Sequence, residues 1–240
     1  IRRISTGIIG LDEKIEGGFV EGSINLVTGK TGTGKTCFCA SFICRGAMKG
    51  EPGVYLTTEE TDEDIRNDIK AMFNWDVDKL IEKRLIKFIF VQPLIPSRLV
   101  SPKEMSSVTK LYIFDLFDTL EKNIKELGAK RVVIDSASVI EMFIRDKYLA
   151  RAALLNLIKK LKNLGVTVVL TTTIPETQEG LSGGGIIEYL VDSVIKLDFI
   201  PVAEEFKRTL TIRKMRRTNH SVLIHPFEIT REGLKIFEIS

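Results

Sequence analysis

No stretch of the 240-residue chain approaches the run of about 18 to 20 apolar residues that crosses a bilayer. The opening Ile1-Arg2-Arg3-Ile4-Ser5-Thr6-Gly7 lacks the apolar core of a secretory signal. The first residue is Ile1 rather than Met, so it is not read as the native start. Cysteine is scarce: Cys37, Cys39 and Cys44 are the only three. An odd number at that spacing makes a poor disulfide framework, and C-x-C-x4-C is not a usual zinc spacing. They read as small apolar packing residues in a reducing compartment. An excess of one charge is also missing. Lys and Arg number 35 against 32 Asp and Glu, a net charge of +3, too mild to declare a nucleic-acid or membrane partner. No internal repeat is visible. These absences leave a cytoplasmic globular protein as the expectation. With 44% hydrophobic and 28% charged residues, the chain is suited to a single domain over 1–240.

What is present alternates in period. Ser23 to Thr28 reads as an apolar strand, Gly29 to Gly34 as a glycine-rich turn, and Thr36 to Lys49 as a helix stopped by Gly50. Val54 to Thr58, Leu85 to Val91, Arg131 to Asp135 and Val166 to Leu170 read as further strands. Helices are expected over Thr61 to Phe73, over Lys110 to Leu127, and after a capping Asp146 up to Gly165. Residues 93–107, with three prolines and four serines, read as a loop or insertion. Apolar strands alternating with helices call for a mostly parallel sheet covered on both faces, an α/β fold. Beyond about residue 190 the helices stop. Val194 to Leu197, Thr209 to Lys214, Val222 to His225 and Leu234 to Phe237 then suggest an antiparallel extension of the same sheet.

Gly29-Lys30-Thr31-Gly32-Thr33-Gly34-Lys35-Thr36 fits G-x-x-x-x-G-K-[ST], with a strand before it and a helix after it. In such a loop the glycines let backbone N–H groups close on phosphate oxygens, and the helix N-terminus adds positive potential. Lys35 is expected to reach the β- and γ-phosphates and Thr36 to ligate Mg²⁺. Asp135, closing an apolar strand, is the expected second metal carboxylate, since a hard cation prefers oxygen. Glu59 and Glu60 follow the second strand, on the edge where ligands bind in open α/β sheets. Glu59 is the preferred base for an attacking water, with Glu60 as its electrostatic partner or substitute. Thr171, Thr172 and Thr173 either sense the γ-phosphate or simply extend a strand.

With these motifs in place, the chain resembles the KaiC-like branch of the RecA/RadA superfamily, in particular its single-domain archaeal members. Ser5-Thr6-Gly7-Ile8-Ile9-Gly10-Leu11-Asp12, Tyr55-Leu56-Thr57-Thr58-Glu59-Glu60-Thr61 and Val133-Ile134-Asp135-Ser136 carry the likeness, with Lys214-Met215-Arg216-Arg217-Thr218-Asn219-His220 matching K-x-R-x-T-x-H. The resemblance implies a RecA-like ATPase core in a homohexameric ring, with ATP and Mg²⁺ between subunits. It also implies that Lys214 and Arg216 reach the neighbour's phosphates, with Thr218 and His220 at the same interface. Arg217 stands where clock-type relatives carry Gly, and Arg231 where they carry an acid. The lone ATPase domain gives no ground for a circadian role, and the lack of N-K-x-D or T-K-x-D speaks against GTP.

A different reading, a single-stranded DNA-binding protein of the recombinase-paralogue kind with ATP as a slow regulator, rests on two features. Six basic residues fall within Lys207–Arg217, and Gly180 to Gly185 forms a loop comparable to the axial loop of RecA-like proteins. That loop has no Lys, Arg or aromatic residue between 175 and 185, and contains Glu176 and Glu179, which does not suit base stacking or phosphate binding. In a strand, Arg213 and Lys214 also point to opposite faces.

Overall fold

A computed structural model describes residues 1–93, 99–144, 146–181 and 185–238. In chain order the elements are β1 (Arg3–Ile4), a 3₁₀ turn, β2 (Phe19–Val20), β3 (Ile24–Gly29), α1 (Lys35–Met48), β4 (Gly53–Thr57), α2 (Asp62–Met72), α3 (Val77–Glu82) and β5 (Ile86–Phe90). Then come α4 (Pro102–Leu127), β6 (Arg131–Asp135), α5 (Ser138–Phe143), α6 (Lys147–Asn163), β7 (Thr167–Thr173), α7 (Ile187–Leu190), β8 (Ser193–Val202), β9 (Glu205–Met215), β10 (Ile224–Thr230) and β11 (Gly233–Ile236).

β3 and β4 are buried along their whole length, as strands covered on both faces must be. Alternate side chains enter two cores. Val27, Tyr55 and Val133 face one that is roofed by α1, α2 and α3. Leu26, Leu56 and Ile134 face the other, roofed by α4, α5 and α6. The nine strands run in the order β11-β10-β9-β8-β3-β7-β6-β4-β5. Pairing is parallel from β8 to β5 and antiparallel from β8 to β11. The expected α/β architecture, mostly parallel with an antiparallel C-terminal extension, is the observed one. No described helix is long and apolar enough to cross a membrane. Cys37, Cys39 and Cys44 are free and buried in the first core.

Two boundaries differ from expectation. α4 starts at Pro102 rather than near Lys110, so part of the expected loop is helix. Ser101 and Glu104 form a reciprocal capping box, and proline at the first helical position lacks the N–H that would go unpaired there. Residues 94–98 of that expected loop lie outside the described residues. β10 continues through Pro226, where a strand was expected to stop. The Pro226 carbonyl accepts from Phe237 N–H, so its ring nitrogen also faces the β11 side. The paired register there ends at Phe227–Ile236, and just beyond it the proline forgoes only the reciprocal bond to Phe237 O.

A buried arginine ties the N-terminal segment to this core. Arg131 is fully buried at the start of β6. Its Nε pairs with Glu51 at 3.2 Å, Nη1 donates to Ser5 O at 2.8 Å and Phe42 O at 2.9 Å, and the guanidinium lies 4.7 Å from the Phe42 ring centre. Ser5 and Thr6 are in turn fixed by the Asp12 carboxylate, which accepts from both hydroxyls. The guanidinium lies against α1 at Gly46, where an added β-carbon would fall on Arg131 Nε and Cδ. Helix propensity favours alanine there by about 1 kcal/mol. We nevertheless expect Gly46→Ala to destabilise the protein by about 1–3 kcal/mol through overpacking. Urea unfolding checks this, and a gain in stability would contradict the packing.

Candidate functional site

The parallel register brings three loops to one edge of the sheet. Val27 of β3 pairs with Thr171 of β7, Ile134 of β6 with Leu170 of β7, and Thr57 of β4 with Asp135 of β6. The phosphate-type loop, Asp135 and the Glu59–Glu60 turn thus leave the sheet at its carboxyl edge, the side on which open α/β sheets bind ligands. Gly34 caps α1 with φ +108°, a left-handed conformation that side-chain-bearing residues rarely adopt. A β-carbon on Gly29 would lie 2.6 Å from Leu197 O, so β8 fixes the loop's entry.

Lys35 folds back over its own loop, its ammonium donating to Gly29 O and Lys30 O at 2.8 Å each. Thr33 Oγ1 donates to Lys30 O at 2.8 Å, closing the turn that holds Thr31 and Gly32. Burial pushes the Lys35 pKa down, and Asp135 and Glu59 oppose that shift.

Asp135 is the centre of the site. Thr36 Oγ1 donates to Oδ2 at 2.9 Å, Tyr55 Oη to the same oxygen at 2.7 Å, and Thr171 Oγ1 to Oδ1 at 2.8 Å. Three hydroxyl donors aimed at one carboxyl group fix its position and orientation. The roles of Tyr55 and Thr171 go beyond the sequence reading. Thr171 lies within β7, and its hydroxyl orients Asp135. Thr172 instead donates to Thr28, and the Thr173 N–H to Ser138. Tyr55 lay in a recognisable segment, but only the sheet register reveals that its hydroxyl reaches the end of β6.

Among the described residues no group of three or more His, Cys, Asp or Glu forms a metal cage. The pair Thr36 and Asp135 fits a cation that keeps most of its ligands from elsewhere. Magnesium binds in that way, through one or two protein oxygens with phosphates and waters completing its shell.

Glu59 and Glu60 are exposed at the end of β4, in a turn where Thr57 Oγ1 donates to Glu60 O at 2.8 Å. Burial and the Asp135 charge raise the Glu59 pKa, and Lys35 draws it back. Glu60 is also raised, by burial and Asp135, with further contributions from Asp68, Asp64 and Glu59. Lys35 thus acts on Glu59, whereas Glu60 is influenced by the acids of α2.

The basic signature lies elsewhere. Asn25 pairs with Ser193, and Ser193 with Met215, so Lys214 to Arg216 sit level with the start of β3. Gly29, four residues further along β3, is about 13 Å away along the strand. Lys214 Nζ donates to Val191 O at 2.7 Å and Glu188 O at 3.1 Å. Arg216 pairs with Asp192 at 3.6 Å. Thr218 Oγ1 accepts from Arg3 Nη1 at 3.0 Å, and His220 Nδ1 lies 2.8 Å from Ser221 O, a contact that requires a proton on Nδ1. Lys214, Arg216, Thr218 and His220 are therefore not gathered at the phosphate-type loop of the same chain. The basic run also divides: Arg208 lies 5.1 Å from the Phe199 ring centre, on the side of Gly32, away from Lys214 and Arg216. Of the glycine-rich loop at 180–185, residues 182–184 lie outside the described residues.

Comparison with known proteins identifies the family and the fold. A UPF0273 protein of Thermotoga maritima is 37% identical over 239 residues, covering 99% of this chain and 96% of its own length. The circadian clock oscillator protein KaiC of Synechococcus elongatus is 32% identical over all of this chain, which spans 45% of that protein. The crystal structure of a KaiC-like protein from Pyrococcus horikoshii superposes with a TM-score of 0.84 at 38% identity, covering 99% of this chain and 100% of that one. The family profile described as "ATPase: KaiC" matches residues 4–240, and the chain belongs to that family.

Proposed function

We propose that residues 1–240 act as one RecA-like ATPase domain that binds ATP with Mg²⁺ on the loop 29–36 and hydrolyses it slowly. The observation that carries this reading is the 2.9 Å bond from Thr36 to Asp135, which puts two hard-cation ligands beside Lys35. The backbone N–H groups of Gly29, Lys30, Thr31, Gly32, Thr33 and Gly34 would surround the phosphates. Lys35 would exchange its loop carbonyls for phosphate oxygens. Mg²⁺, held by Thr36 and Asp135, would neutralise phosphate charge. Glu59 would take the proton of a water as its oxygen attacks the γ-phosphorus. The bond from that phosphorus to the bridging oxygen would break, leaving ADP and inorganic phosphate.

The arm at the opposite edge supports a site completed between protomers. Lys214 and Arg216, with Thr218 and His220 beside them, would approach the phosphates of the adjacent protomer in a homohexameric ring. Positive charge delivered from a second chain makes turnover depend on assembly, and such fingers are worth roughly 10³–10⁵ in rate. The ring would act as a conformational switch on a client. The separation of Arg208 from Lys214 and Arg216 divides the basic run, which weakens the support for the DNA-binding alternative.

Lys35→Ala is expected to abolish ATP binding, measured by calorimetry. Glu59→Gln is expected to keep binding but lose roughly 10²–10⁴ in turnover, while Glu60→Gln stays within about tenfold of wild type. The base works as a carboxylate and its pKa is raised, so kcat/KM should fall at higher pH than an ordinary glutamate would dictate. That acid limb should vanish in Glu59→Gln; an unchanged limb would remove Glu59 from the role. In subunit-mixing assays, Arg216→Ala protomers, strongly slowed but measurable alone, should regain turnover with Lys35→Ala protomers, because one supplies the site and the other the finger. No complementation would exclude action between chains.

A further inference from the structure

The carboxylate of Asp192 is one-tenth exposed, and both of its oxygens are engaged. Oδ2 accepts from Ile24 N–H at 2.9 Å, at the first residue of the strand that leads to the phosphate-type loop. Oδ1 meets Lys162 Nζ at 3.1 Å and Arg216 Nη1 at 3.6 Å. The backbone repeats the connection: Asp192 N–H donates to Ile24 O, and Arg216 N–H donates to Asp192 O, each at 2.9 Å. Lys162 already supplies Asp192 with a counter-charge, so pairing alone does not require Arg216. The Arg216 side chain is half exposed, and its contacts with Asp192 and Tyr189 O leave other guanidinium N–H groups for an external acceptor.

We propose that Asp192 is a positioning residue for Arg216, anchoring it to the start of β3 so that its remaining donors face the adjacent protomer's nucleotide. This rests on the reading of Arg216 as a group acting between chains. A guanidinium held in place before contact loses less rotamer freedom when it meets an anion. The surroundings restrict it in the same sense. Lys214 is fastened to the carbonyl end of α7, and Arg3 Nη2 donates to Arg217 O at 3.2 Å, fixing the turn that follows. Asp192 also joins the strand carrying a protomer's own phosphate-type loop to the arm that would serve its neighbour's.

Steady-state hydrolysis by the assembled full chain, over a range of ATP concentrations, tests the proposal. Asp192→Asn is expected to lower kcat by about tenfold to a hundredfold, the scale of a small misplacement, with KM within about twofold. Combined with Arg216→Ala, it should add little further loss, because the two act as a unit. Lys162→Ala should keep kcat within about twofold. An unchanged kcat in a folded Asp192→Asn, a loss expressed in KM, or a full additional loss on top of Arg216→Ala would each overturn the proposal. If Asp192→Asn does not melt cooperatively, Asp192→Glu replaces it; this keeps the charge but displaces the carboxylate. A folded Glu variant with unchanged kcat overturns the proposal as well. If Arg216→Ala itself leaves kcat unchanged, or the wild type shows no turnover, the failure belongs to the underlying reading instead.

Discussion

The site depends on one carboxylate. Asp135 receives hydroxyls from α1, β4 and β7, so a single acidic group at the end of β6 joins three other elements of the sheet edge. Without it, Thr36 would lose its partner, and the Tyr55 hydroxyl, buried against β6, would be left without an acceptor. A buried donor without an acceptor costs about 1–3 kcal/mol. The carboxylate also sets the local field, acting on both Lys35 and Glu59. Position and local charge at this edge therefore both involve the same group.

The parallel sheet divides labour between its two ends. At the carboxyl edge lie the phosphate-type loop, the acidic turn and Asp135. At the other edge lies the arm of Lys214 and Arg216, level with the start of β3. β3 is the shared rail, leading into the loop at one end and gripped by Asp192 at the other. This geometry keeps the cationic arm at the far end of β3 from the phosphate-type loop, as the proposed action on a neighbouring subunit would require.

Much of this was legible before any coordinates. The strand–loop–helix over Ser23 to Lys49 follows from local apolar pattern and glycine placement, and the Walker-type residues are contiguous or close a recognisable strand. The true start of α4 was also written locally, in Ser101, Pro102 and Glu104, but the density of prolines and serines suggested a loop. The passage of β10 through Pro226 was not local, because it depends on which neighbour the proline nitrogen faces.

By itself, the sequence determined the alternation of elements, the phosphate-type loop and the identities of Lys35, Thr36, Asp135 and Glu59, because each is set by spacing along one strand, turn or helix. The tertiary structure alone decided that Tyr55 and Thr171 converge on Asp135, that Arg131 is buried against Gly46, and that Asp192 pairs with Arg216. Those contacts join residues from about two dozen to more than eighty positions apart, and their meeting is fixed by strand order and register, which no short segment of the chain encodes.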